Sequence, residues 1–233
     1  KKDVAPGAPS EKLYDLRGAL EWLQEQGDLV VTDKEVDPDL EIIALQKVFD
    51  GACPILFNNV KGKPNNRVVT NLFSDMKVVD KMFGWANPVE RTQHVANALR
   101  RPIPPIIIDQ KDAPCQEVVI EDPVNVNDYI VPVRHTEFEP ELTVGSGIRC
   151  VTGEYFSGGT DLGYNRMNFR WGNVGTFQIS PGSHMWQVVS KHYKDDEPVP
   201  ITMCFGLPPS CTLLAGAGFD YVILPQGCDE IGV

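Results

Sequence analysis

Apolar residues recur at helical spacing in several stretches of the first hundred residues, with short apolar runs between them. Asp15 is placed to cap a helix whose inward face is Leu16, Leu20 and Leu23, and Gly27 is placed to stop it. Leu29–Thr32 reads as a short strand. Asp37-Pro38, a capping side chain followed by a proline suited to a first helical position, predicts a helix through Ile42, Ile43, Leu45, Val48 and Phe49. Pro54–Val60 and Arg67–Leu72 read as strands around a Lys61-Gly62 turn. Asp75 caps a further predicted helix that uses Val78, Val79, Met82 and Phe83 and closes at Gly84. Pro88–Leu99 is another predicted helix, and Pro104–Asp109 reads as a buried apolar strand.

After about residue 112 the pattern changes. Strand-like runs at Glu117–Glu121, Gly147–Thr152, Arg166–Phe169, Thr176–Ile179 and Ile201–Phe205 are separated by turns rich in Gly, Asn and Asp. The helical stretches among them are His184–Tyr193 and a short one after Pro208-Pro209. Helices first and strands later predict an α+β class, with an α/β amino-terminal region over 1–112 and a β-barrel-like region over 113–233. Gly227–Val233 carries neither a cap nor a polar tail, so the chain is expected to stop within an element.

Composition narrows the function classes. The 233 residues include 21 Lys plus Arg against 32 Asp plus Glu, a formal charge of -11. A surface that acidic repels phosphate backbones and anionic lipid headgroups, which argues against nucleic-acid and membrane partners. No apolar run approaches the roughly 20 residues that span a bilayer, and Lys1–Ser10 lacks the apolar segment of a signal peptide. The six cysteines include no C-x-x-C pair and are expected to be reduced, as in a cytoplasmic protein.

Candidate chemistry concentrates between Gly158 and Glu230. Asp161 and Arg166 lie five residues apart in a strand pattern, so they lean to opposite faces unless a turn or bulge intervenes. Pro181-Gly182-Ser183 is a turn that delivers His184 to the start of a helix, where free backbone N–H groups favour a phosphate. Glu230 follows a second turn, Pro225-Gln-Gly227. Two carboxylates and one imidazole suit Mn²⁺ or Mg²⁺ better than a structural zinc. On spacing alone, a capping histidine, a turn-forming aspartate and a solvated glutamate explain the same residues. His94, His135 and His192 fall in polar or acidic surroundings and are read as solvated. Tyr164, Phe177, Trp171 and Trp186 suit either a flavin wall or plain core. No G-x-G-x-x-G, Walker A or G-x-S-x-G sequence occurs.

The ordered runs D-L-G-Y-N-R-M, P-G-S-H, P-I-T-M-C-F-G-L-P-P and L-P-Q-G-C-D-E-I-G-V resemble the cofactor-binding region of the UbiD family. The opening D-L-R-G-A-L-E-W-L and the following G-D-L-V-V-T resemble the start of that family, so the likeness covers nearly the whole chain. UbiD enzymes are decarboxylases that use prenylated FMN. The resemblance implies a split β-barrel-like flavin-binding core, with Asp161, His184 and Glu230 as ligands of a Mn²⁺ (or Mg²⁺) that ties the flavin phosphate to the protein. Many members carry Asn where this chain has Asp161. It further implies cofactor binding by Asp161, Arg166, Met167, Ser183, His184 and Glu230. K⁺ would be held by backbone carbonyls over Phe219–Val222. Arg166 falls on the catalytic arginine that grips the substrate carboxylate, a task suited to a planar, permanently charged guanidinium.

The implied reaction is non-oxidative, reversible decarboxylation of an aromatic or α,β-unsaturated acid, releasing CO₂. The run Ala113–Glu117 resembles members acting on hydroxybenzoates such as protocatechuate. Family glutamates that donate the proton lie beyond the position of Glu230, so this chain is expected to be a fragment without them. The full-length protein is expected to be a homo-oligomer, and this chain monomeric or weakly associated. Two other readings stay open: a non-catalytic cofactor-holding subunit, and a split-barrel flavin reductase binding ordinary FMN without a divalent metal.

Overall fold

The computed structural model describes residues 10–121, 124–152, 159–217, 224–225, 228 and 230–233. After a 3-10 turn at Glu11–Tyr14, the amino-terminal half places helices α1 (Leu16–Gln26), α2 (Glu41–Val48), α3 (Met76–Phe83) and α4 (Pro88–Arg100) around a small sheet. Its strands are β1 (Val30–Thr32), β2 (Ile55–Phe57) and β3 (Val68–Thr70), with β2 central, parallel to β1 and antiparallel to β3. Strand β2 is buried on both faces. Leu56 joins Leu20, Leu23, Val78 and Met82 under α1 and α3, while Ile55 and Phe57 meet Ile42, Val36 and Val60 on the α2 side. An uninterrupted apolar triplet is what a strand covered on both sides requires.

The carboxy-terminal half has the sheet order β5-β4-β8, with β4 (Ile148–Thr152) antiparallel to both β5 (Thr160–Tyr164) and β8 (Thr202–Cys204). A separate antiparallel pair joins β6 (Met167–Asn168) to β7 (Thr176–Phe177). Helix α5 (His184–Asp195) buries Met185 and Val188 against Val151, and α6 (Pro209–Ala215) buries Ala215 against Ile148 and Leu162. The class is α+β. Among the described residues these strands do not close into a barrel.

The helix caps agree with the sequence at α1 and α3, and in α5 the turn residue Ser183 supplies the cap. The Oδ1 of Asp15 accepts from Gly18 N, that of Asp75 accepts from Lys77 N, and the Oγ of Ser183 accepts from Trp186 N. Four expectations need correction. Helix α2 begins at Glu41, because the Asp37 carboxylate is taken by Asp39 N and Lys61, and the Pro38 carbonyl accepts from Arg134 N. The run 104–109 is not a buried strand: Ile106 and Ile107 are 90% and 93% exposed. Pro102, Pro104 and Pro105 supply no amide donors there, so no ladder can run along it. Residues 117–121 form no strand either, with Val118 and Val119 exposed. Two short 3-10 turns just before them, at Gln110–Asp112 and Pro114–Gln116, bend the chain away from a sheet path. His192 is buried on the inner side of α5, whereas His94 is exposed and His135 half-buried. All six cysteines are free, and among the described residues no helix is long and apolar enough to cross a membrane.

Gly18 lies where a 3-10 turn folds back on α1. A Cβ built there would stand 2.3 Å from the Lys12 carbonyl oxygen, a backbone atom that cannot rotate aside. Alanine is the better helix former by up to about 1 kcal/mol, yet overpacking costs about 1–3 kcal/mol. Gly18→Ala is therefore expected to lower the urea midpoint of unfolding. A higher midpoint would show that the turn yields.

Candidate active site

The candidate site grows from the pairing of β4 with β5. Arg149 stands opposite Gly163, and Val151 opposite Asp161, so Arg149 and Asp161 share a face two residues apart along the ladder. Gly163 offers no side chain, and the guanidinium lies across it: a Cβ there would meet Arg149 Nη2 at 2.8 Å. From that position Arg149 Nη1 donates to both the Oδ2 and the backbone carbonyl of Asp161. Both side chains are buried, at 7% and 1% exposure. Burying two charges is tolerable when each meets its opposite at hydrogen-bond distance.

Helix α5 adds the imidazole. The Pro181–Ser183 turn, with Gly182 at φ 86, leads into the helix, and the Ser183 hydroxyl both caps it and donates to the Ser180 carbonyl. His184, the first helical residue, is buried and sets Nδ1 2.8 Å from Asp161 Oδ1. The second carboxylate comes from the far end of the chain. Glu230 opens a 3-10 turn, and its Oε2 accepts from Leu162 N at 2.7 Å. Potential ligand atoms of Asp161, His184 and Glu230 all lie within 4.8 Å of one another. His184 and Glu230 border a cleft of about 190 Å³, lined also by Arg149, Tyr164, Asn165, Ser180 and Ser183, while Asp161 itself is only 1% exposed.

Burial pushes the Glu230 carboxyl up to about 7; the Leu162 amide opposes the rise and the charge of Asp161 adds to it. The donor set of two carboxylates and an imidazole fits a hard divalent cation such as Mn²⁺ or Mg²⁺. Both Asp161 oxygens already have partners, Arg149 and His184.

The three sequence-derived ligand candidates thus converge, and Ser183 sits at the rim of the same cleft. Arg166 stands apart from them. It follows β5, its side chain is 51% exposed, and its Nη1 lies 3.0 Å from Glu139 Oε1. That carboxylate also accepts from His135 N at 2.6 Å, while Arg134 Nη1 donates to the Glu139 carbonyl. Burial raises the Glu139 pKa, but the His135 amide and the charges of His135 and Arg166 outweigh it, and the net shift is downward. Met167 is buried with its Cε close against Gly147, and its side chain is not in the cleft lining. Of the four aromatic candidates, Tyr164 alone borders the cleft, and Phe177 packs into the core beneath α5. The proposed K⁺ carbonyls at 219–222 lie outside the described residues.

Arg149 was not anticipated from the sequence. The signal available for it was a lone charge inside a short apolar strand, with an opposite charge in the following strand.

Comparison with known proteins now fits onto this geometry. A family model described as the 3-octaprenyl-4-hydroxybenzoate carboxy-lyase N-terminal domain matches residues 20–99. The Rift-related domain of the same carboxy-lyase matches residues 106–233. The chain belongs to the UbiD family. It is 27% identical to a gallate decarboxylase of Lactiplantibacillus plantarum, over 96% of this chain and 48% of that protein. It is 25% identical to a phenolic acid decarboxylase of Sedimentibacter hydroxybenzoicus, over 90% of this chain and 46% of the relative. Among solved structures it resembles an evolved dimeric form of the UbiD-class enzyme HmfF from Pelotomaculum thermopropionicum in complex with prFMN. That match has a TM-score of 0.81 at 27% identity and covers 94% of this chain and 49% of the other. The chain spans about half the length of the curated relatives it matches.

Two outcomes test the electrostatics. Arg149→Met strands the Asp161 charge and should cost about 3–5 kcal/mol of stability, most of it recovered in Arg149→Met/Asp161→Asn; a double variant as unstable as the single one would mean that packing, not charge, dominates. The second concerns Glu230, whose folded-state pKa lies above the ordinary 4.5. Its contribution is full below the unfolded value and is lost as pH rises through the folded value. With EDTA present, the wild-type melting temperature should therefore fall relative to Glu230→Gln between about pH 5 and about pH 8. Parallel profiles would show that the carboxyl is not perturbed.

Proposed function

We propose that this chain is the cofactor-holding part of a UbiD-type carboxy-lyase. Its reaction is the non-oxidative, reversible decarboxylation of an aromatic or α,β-unsaturated carboxylic acid, with a hydroxybenzoate as the favoured substrate class. The observation that carries the reading is the convergence of Asp161, His184 and Glu230 at the start of α5, beside a cleft that His184 and Glu230 line. The names of the relatives, a gallate and a phenolic acid decarboxylase, favour an aromatic acid, and the HmfF complex favours prenylated FMN.

In this reading residues 1–112 form the amino-terminal α/β region, and residues 113–233 build a split-barrel-like flavin platform. Asp161, His184 and Glu230 hold Mn²⁺ or Mg²⁺, with K⁺ bound by the carbonyls of 219–222. When bound, prenylated FMN supplies the electron sink that lets CO₂ depart. The residues of the chain bind and orient. Ser183 and the amino end of α5 face the phosphate end of the flavin. Arg166 holds the substrate carboxylate, and Glu139 fixes the guanidinium from the opposite side so that its remaining N–H groups point at the acid. Met167 belongs to the same cofactor-binding set by its place beside Arg166 in the chain. The site works in the cytoplasm, and the complete enzyme is a homo-oligomer.

Reconstitution tests this reading. The protein is incubated with prenylated FMN, Mn²⁺ and K⁺, gel-filtered, and read by flavin absorbance, then assayed for CO₂ release from hydroxybenzoates. Flavin should co-elute in Mn²⁺, and EDTA or His184→Ala should remove most of it. Retention that ignores both metal and His184 would refute the ligand assignment.

A further inference from the structure

The metal-ligand candidates leave one charged group of the cleft unexplained. Arg149 is a buried cation that lines the same cleft as His184 and Glu230. Both of its hydrogen bonds to described residues leave from Nη1 and end on Asp161. Among the described residues its Nε is buried without a hydrogen-bond partner. Its Nη2 lies over Gly163, a residue that itself borders the cleft. A guanidinium presents its donors as a planar fork, and one left half-used beside a polar cleft is suited to a second oxyanion.

The surroundings select the kind of anion. Ser180 and Ser183 line the cleft, and the amino end of the 12-residue helix α5 opens onto it. Helix amides and a buried guanidinium together match a phosphate group. Asp161 alone would work against that, since it adds a negative charge where the phosphate must sit. Arg149 cancels that charge at its source.

We propose that Arg149 is a phosphate-binding residue of this cleft, which neutralises Asp161 through Nη1 and offers its remaining N–H groups to the phosphate monoester of the flavin. The assignment rests on the flavin reading given above. It makes Arg149 and Asp161 a matched pair: an aspartate among the ligands is compatible with a phosphate because an arginine stands behind it. A charge count shows how to separate the two duties. Replacing Arg149 by Gln and Asp161 by Asn together removes one positive and one negative charge, so the net charge of the site is unchanged. Any phosphate affinity still missing in that double variant belongs to the direct contact.

The experiment compares FMN with riboflavin, which has the same ring system and no phosphate, by quenching of flavin fluorescence in Mn²⁺. Inorganic phosphate serves as a competitor in each titration, and bound manganese is measured for each protein. Wild type should favour FMN over riboflavin, with phosphate displacing FMN alone. In Arg149→Gln/Asp161→Asn at equal manganese content, the preference should fall about 10-fold or more, the usual loss for a hydrogen bond to a charged group. Riboflavin affinity should stay unchanged. Arg149→Gln alone should lose at least as much; if it fails to fold, the double variant, which strands no charge, carries the test. A wild-type preference retained in the double variant overturns the phosphate contact and leaves Arg149 as a counter-charge only. Equal loss of FMN and riboflavin overturns it as well, because that pattern marks a structural role. A wild type that does not distinguish FMN from riboflavin overturns the flavin reading itself, and this inference with it.

Discussion

The carboxy-terminal half is organised around a buried ion pair. Asp161 is almost inaccessible, and a carboxylate placed there without a partner would cost several kcal/mol. The fold supplies that partner from the neighbouring strand, which fixes much else. The β4–β5 register must put Arg149 opposite Gly163, and residue 163 must be small enough to lie beneath a guanidinium. The first turn of α5 must then pack close enough for His184 to reach the other carboxylate oxygen. A one-residue slip of β5 would turn Asp161 away from both. The site is therefore a consequence of register before it is a consequence of residue type.

A second polar centre stands outside the cleft. Glu139 gathers Arg166, Arg134 and His135, and Arg134 in turn pairs with Asp39 ahead of α2 at 2.7 Å. Through Arg134 the loop that carries Glu139 is tied to the amino-terminal half, so the orientation of Arg166 depends on contacts well removed from the cleft. Arg166 thus answers to different elements from those that hold the ligand triad. In the function proposed above, that division would separate the end that fixes a cofactor from the end that meets a substrate.

Legibility in the sequence followed the range of the interactions. Helices α1 and α3 were readable because cap, apolar face and stop signal all lie within a dozen residues. The start of α2 was misread because the Asp37 side chain is taken by Lys61, 24 residues away, and sequence proximity cannot show that. The isoleucine run before residue 109 looks like a sheet core by composition, yet exposure depends on whether a partner strand exists. Asp161, His184 and Glu230 were found through the order of their motifs, since their spacing carries no period. Arg149 was missed because its meaning comes from a strand pairing rather than from its neighbours.

The way Glu230 docks has a consequence for how the molecule assembles. Arg149 and Asp161 are separated by 12 positions, whereas Leu162 and Glu230 are separated by 68. Closing the longer loop costs about 1.5 kcal/mol more chain entropy than closing the shorter one, on the logarithmic scaling of loop closure. The hairpin core of the site can therefore form from local contacts, while its last oxygen donor arrives across most of the carboxy-terminal half. An ion held by all three side chains, as proposed above, would draw on that closure and so would act as a fastener between the two ends of this half of the chain.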